Sequence, residues 1–175
     1  QIGFSMDENY KILIQNRSHY VNSKSHTQFK LIDNWVQEHS QDLYNILDNN
    51  TILFGEWLYA KHSISYNNLP DYFLAFDLYN KREKIFYNRQ ILEEKLMDTS
   101  INIVRIMYEG RINKPQLLKL IEEKSDYTDG RVEGVYMKVF ENDYVKYRSK
   151  LVRNDFISGS EHWTKYNIER NKLTF

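Results

Sequence analysis

The sequence predicts an α+β fold, with mainly antiparallel strands in two sheets, a cleft between them and helices outside. Three observations support it. Short apolar or alternating runs recur along the chain, strands rarely alternate with helices in the βαβ manner, and no glycine-rich phosphate loop is present. At 175 residues the chain fits one domain, expected to span residues 1–175.

The elements follow in order. Ile2, Phe4 and Met6, then Tyr10, Ile12 and Ile14, flank Asp7-Glu8-Asn9 and read as a hairpin. The chain opens inside that first strand, so residues upstream of Gln1 are expected. Phe29, Ile32, Trp35, Val36, Leu43 and Leu47 recur at helical spacing, broken near His39-Ser40, and predict helices at 27–38 and 41–48. Thr51–Ala60 and Pro70–Tyr79 are apolar strands, Lys84–Tyr87 a shorter one, Arg89–Met97 a helix and Ile101–Tyr108 a strand. Pro115 stands in the first turn of a helix running to about Lys124. Arg131–Lys138 and Asp143–Lys150 alternate with a period of two about Asn142-Asp143, which predicts a second hairpin. Glu161–Leu173 is expected to close the chain as a helix or helical turn.

Composition excludes several classes. Lys+Arg and Asp+Glu are 24 each, so no bulk field draws the chain to nucleic acid. There is no cysteine, hence no disulfide and no thiolate zinc site. No apolar run approaches the roughly 18 residues of a membrane helix. No secretion signal is visible, and a monomer in the cytoplasm or nucleus is expected.

Several residues stand out for chemistry. Glu56 lies in an apolar strand beside Gly55, and a buried carboxylate needs donors or a ligand. Regular alternation puts Gly134, Tyr136 and Lys138 on one face of their strand and Glu133 on the other, while Lys146 and Arg148 share a face. A carboxylate, a glycine and two cations so placed suit a nucleotide phosphate and a metal ion. An ordinary surface hairpin laced with ion pairs is the plainer alternative. Arg17 follows the first hairpin as a candidate anion ligand or a solvated strand end. His62 has no second histidine at metal-ligand spacing, so zinc is not expected.

Taken in order, these segments resemble the RNA ligase family of covalent nucleotidyltransferases. Leu53-Phe54-Gly55-Glu56-Trp57 is similar to its motif III, and Tyr72-Phe73-Leu74-Ala75-Phe76-Asp77 to its motif IIIa. Glu133-Gly134-Val135-Tyr136-Met137-Lys138 resembles motif IV. Val145-Lys146-Tyr147-Arg148 resembles motif V, with Arg148 where the family usually has its second lysine. Asn16-Arg17-Ser18-His19 resembles the arginine segment after the first hairpin. Motif I, Lys-x-Asp-Gly, does not occur; Thr128-Asp129-Gly130 lies elsewhere and lacks the lysine. Gln1 falls just downstream of where motif I would end, so the nucleophilic lysine is expected upstream.

The resemblance implies a nucleotidyltransferase (ATP-grasp-like) domain whose two sheets flank a nucleotide cleft. It implies an ATP-dependent RNA ligase joining 5′-phosphate and 3′-hydroxyl ends through a lysyl-AMP and an adenylylated RNA end. The implied cofactors are ATP/AMP and Mg2+ or Mn2+, and the implied partners are RNA ends, a nicked duplex included. Lys146 and Arg148 would hold the α-phosphate, Glu133 the metal ion, and Glu56 the ribose. Phe73 would stack on adenine, Arg17 would meet AMP or the 5′-phosphate, and Lys138 would lie near the nucleotide. A catalytically inactive nucleotide- or RNA-binding module of the same fold is the alternative. A DNA ligase or capping enzyme would normally continue into an OB domain, and only 25 residues follow Lys150.

Overall fold

The computed structural model describes residues 1–62, 64–154 and 168–174. Its larger sheet contains β1 (Ile2–Met6), β2 (Ile12–Gln15), β3 (Thr51–Trp57), β4 (Phe73–Asn80) and β5 (Ile85–Phe86). The strand order is β2-β1-β3-β4-β5, antiparallel at every junction. The smaller sheet is the hairpin of β6 (Gly134–Glu141) and β7 (Tyr144–Val152). Four helices complete the described fold: α1 (Ile32–Glu38), α2 (Ser40–Ile46), α3 (Arg89–Leu96) and α4 (Lys114–Leu120). The expected α+β class with antiparallel strands in two sheets is observed.

The register assigns each face of the large sheet. Ile2 pairs with Gly55, Phe4 with Leu53 and Trp57 with Phe73, which sets these residues on one face. That face is apolar and buries the core against α1 and α2. The Phe4 ring stacks on Trp35 at 5.1 Å, and the Phe73 ring meets both edge-on at 4.9 and 5.0 Å. Polar atoms taken into this layer find partners. Trp35 Nε1 donates to Asp71 Oδ2 at 2.6 Å, and Trp57 Nε1 to the Gln28 carbonyl at 2.7 Å. Gly55 makes room for Phe73, because a Cβ there would lie 2.3 Å from the ring.

Asn88 ties the smaller sheet to α3. Asn88 caps α3 by accepting from Ile91 N at 2.9 Å. Its own N–H donates to the Asp143 carbonyl at 2.7 Å and its side chain to the Asn142 carbonyl at 3.0 Å. The tip of the β6–β7 hairpin is thereby tied to the start of a helix. The tip is the expected two-residue turn, with Asn142 at φ 51°.

Three sequence expectations are corrected. Residues 101–108 form no strand; Ile103 makes a single parallel bridge to Ala75, and Ile106 and Tyr108 are exposed. The closing helix falls mostly outside the described residues. Its described end, from 168 onward, is extended, bridging Ala60 through Arg170 and Leu69 through Leu173. Extension lets buried Asn171 donate to the carbonyls of Leu58 and Ala60, at 2.8 and 3.3 Å. Glu56 is not buried: next to last in β3, it lies on the face away from the core, half exposed, 3.0 Å from the Gln1 nitrogen.

Candidate active site between the two sheets

The floor of the candidate site is Asp77 on β4. Regular alternation from Phe73 would send Asp77 into the core. Instead Phe54 pairs with Asp77 and Gly55 with Ala75, which leaves Phe76 without a partner. This bulge moves Asp77 to the opposite face and points Phe76 toward β6 as well. Asp77 is 1% exposed. It accepts from Lys138 Nζ at 2.7 Å and faces Arg148 Nη1 at 3.6 Å. Lys138 also donates to the Phe76 carbonyl.

The charges on this floor oppose desolvation. Burial raises the Asp77 pKa, and the charges of Lys138 and Arg148 pull it back down. Burial lowers the Lys138 pKa, with Asp77 opposing that shift. Lys138 commits two donors to Phe76 and Asp77 and keeps one of three. Arg148 is anchored by the face of Phe86, 3.9 Å from the ring centroid, and its side chain also bonds the Tyr136 hydroxyl. Lys138 and Arg148 are a cross-strand pair in the hairpin, which explains why both reach one carboxylate.

Aromatic rings line the walls. Phe76 meets Tyr136 edge-on at 6.2 Å, and Lys138 Nζ lies 5.9 and 5.4 Å from their centroids. Phe54, Tyr79 and Phe86 pack together beside Arg148. A cationic floor flanked by partly exposed rings can hold a phosphate beside an aromatic base.

The mouth carries the acids. Tyr66, in the β3–β4 connection, donates to Glu133 Oε1 at 2.5 Å. Burial lowers the His62 pKa, while the charges of Glu56 and Glu133 both oppose the shift. Among the described residues no group of three or more His, Asp or Glu is arranged to hold a metal ion. The oxygen donors of Glu133 and Glu56 nevertheless suit Mg2+, which typically takes one or two carboxylates and completes its shell with water and phosphate.

The sequence-predicted residues divide accordingly. Lys138 and Arg148 meet at Asp77, whereas Glu133 is bonded to Tyr66 and Glu56 lies beside Gln1. Arg17 is exposed at the end of β2, and the register puts it at the same end of the sheet as Glu56, two strands away. Lys146 does not share a face with Arg148. Val139 pairs with Tyr147 and Phe140 with Val145, so Lys146 is bulged out and pairs with Glu141 near the hairpin tip. Phe73 is fully buried and cannot stack on a ligand; this assignment is corrected. Phe76, three residues on, is the half-exposed ring, and Asp77 is the acid that joins the two sheets. The reading of residues assigned neither a role, although both stand in the segment likened to motif IIIa.

Among the described residues no helix is long and apolar enough to cross a membrane. No curated protein and no solved structure matches the chain. A family model described as RNA ligase matches residues 1–152, a span that includes both sheets and every candidate residue above. The chain belongs to the RNA ligase family.

Proposed function

We propose that this chain carries the nucleotide-transfer site of an ATP-dependent RNA ligase that joins 5′-phosphate and 3′-hydroxyl RNA ends. The observation that carries the reading is the Asp77–Lys138–Arg148 cluster between Phe76, Tyr136 and Phe86. In this reading a lysine upstream of Gln1 attacks the α-phosphorus of ATP. A nitrogen–phosphorus bond forms, the bond to pyrophosphate breaks, and the amine proton leaves to solvent. AMP then passes to an RNA 5′-phosphate oxygen, and a 3′-hydroxyl displaces AMP to close the strand.

Each residue has a part in this chemistry. Arg148 and the remaining donor of Lys138 face the phosphate, where fixed donors act most strongly as charge develops. Lys146 gives up a solvent-screened ion pair with Glu141 to join them. Phe76 and Tyr136 flank the base. Glu56 accepts from the ribose hydroxyls, and Arg17 meets the 5′-phosphate. Glu133, with Glu56 nearby, would hold Mg2+ or Mn2+, which neutralises phosphate charge when bound.

The test is intact-mass measurement of the full-length protein after incubation with ATP and Mg2+. A single AMP adduct, mapped to a lysine upstream of Gln1, is expected. The adduct should discharge on adding 5′-phosphate RNA. No adduct, with AMP binding retained, would turn the reading into that of a nucleotide- or RNA-binding module.

A further inference from the structure

Tyr66 lies between the segments that carry the family resemblance. Its hydroxyl donates to Glu133 Oε1 at 2.5 Å. The main chain of Tyr66 is held on both sides by the C-terminal extended segment. Its N–H donates to Asn171 Oδ1 at 2.9 Å, and its carbonyl accepts from Lys172 N at 2.9 Å. Asn171 is 1% exposed and is itself bonded to the carbonyls of Leu58 and Ala60. The Tyr66 ring packs edge-on against Tyr127 at 6.5 Å. The hydroxyl is therefore aimed by a buried polar lock and a ring contact.

Glu133 stands just before β6, with its carbonyl accepting from Arg153 N at 3.1 Å. The tyrosine bond occupies one lone pair of one oxygen and leaves acceptor capacity on both. A carboxylate held this way presents its remaining lone pairs in one direction, which is how outer partners tune metal ligands.

We infer that Tyr66 is a positioning residue, which orients the Glu133 carboxylate toward a divalent cation. The inference rests on the reading of Glu133 as a metal ligand. Tyr66→Phe keeps the ring and removes only the donor.

The experiment measures Mn2+ binding to the full-length protein by electron paramagnetic resonance, with AMP binding followed by calorimetry. Tyr66→Phe should weaken Mn2+ binding by about 10- to 100-fold, the range found for second partners of metal ligands. AMP affinity and the melting temperature should stay close to wild type, which a merely structural role would not allow. Glu133→Gln should weaken Mn2+ binding at least as much, and adding Tyr66→Phe to it should cost nothing more. Unchanged Mn2+ affinity in Tyr66→Phe with a loss in Glu133→Gln overturns the positioning role alone. Unchanged affinity in both overturns it together with the metal assignment. Additive losses overturn it as well, since Tyr66 would then act by another route.

Discussion

The guanidinium of Arg148 sits over the ring of Phe86, its central carbon 3.9 Å from the centroid. Asp77 approaches the same guanidinium from the side at 3.6 Å, so the group is held by a ring and a charge at once. Such anchoring suits arginine better than lysine, whose compact ammonium has no plane to lay on a ring. Phe86→Leu should therefore lower the rate of AMP transfer in the wild-type background and have little effect in Arg148→Lys. Arg148→Ala should lower it by roughly 10²-fold, the scale of one lost transition-state donor. Single-turnover rates across the four-member cycle check the coupling. Equal effects of Phe86→Leu in both backgrounds would count against it.

Lys146 and Glu141 give a separate prediction. If the pair is only a resting contact, Glu141→Ala should leave transfer near wild type while Lys146→Ala lowers it by about 10²-fold. A comparable loss in both variants would mean that the ion pair itself is needed.

Phe73 and Phe76 should separate stability from binding. Phe73→Ala opens the core beneath Phe4 and Trp35 and should cost about 3–5 kcal/mol in urea unfolding. Phe76→Ala should fold normally and weaken AMP binding by about 1–3 kcal/mol, as for loss of one base-stacking ring. The reverse pattern would restore Phe73 as the stacking residue.

Gly55→Ala tests the packing beside Phe73. The added methyl would fall 2.3 Å from a ring carbon and 2.5 Å from the Leu74 carbonyl oxygen, with no flexible side chain to yield. Overpacking of this kind costs about 1–3 kcal/mol, visible as a lower melting temperature.

Asp71 supplies the pH dependence. Burial raises its pKa above the ordinary carboxylate value, with bonds from Trp35 and Tyr72 opposing. A raised native pKa means that the folded state binds more protons, so the Asp71 contribution is full below the unfolded pKa and is lost as pH rises through the folded one. The stability difference between wild type and Asp71→Asn should shrink as pH rises through that window. Urea midpoints from about pH 4 to 7 measure it, and a difference that grows with pH would contradict the assignment.

Much of this was legible in the sequence, and the misses have physical causes. The alternation around Asn142-Asp143 reported the hairpin, and the helical spacing from Phe29 reported α1 and α2, because each pattern repeats over several residues. Lys138 and Arg148 were found because their strands are regular between them. Lys146 was taken for a neighbour of Arg148 because alternation was carried through a bulge, whereas Phe73 was assigned from the family resemblance, which does not show that the core buries its ring. A single unpaired residue exchanges the faces of everything beyond it. Nothing in Leu74-Ala75-Phe76 marks that position, because the bulge is fixed by pairing with a strand distant in sequence. Tyr66 was missed for the same kind of reason, since its partner lies 67 residues away.

Phe76 and Lys146 are each surplus to the ladder that carries them. Without Phe76, Ala75 could still face Gly55 and Asp77 still face Phe54; without Lys146, Val145 and Tyr147 could still face Phe140 and Val139. Each sheet thus holds one inserted residue that its hydrogen bonding does not consume. A one-codon deletion of either should shorten a strand into a more regular form and leave the fold standing, with a melting temperature near wild type as the check. In this chain the ring of Phe76 and the cation of Lys146 are additions to ladders that pair on both sides of them.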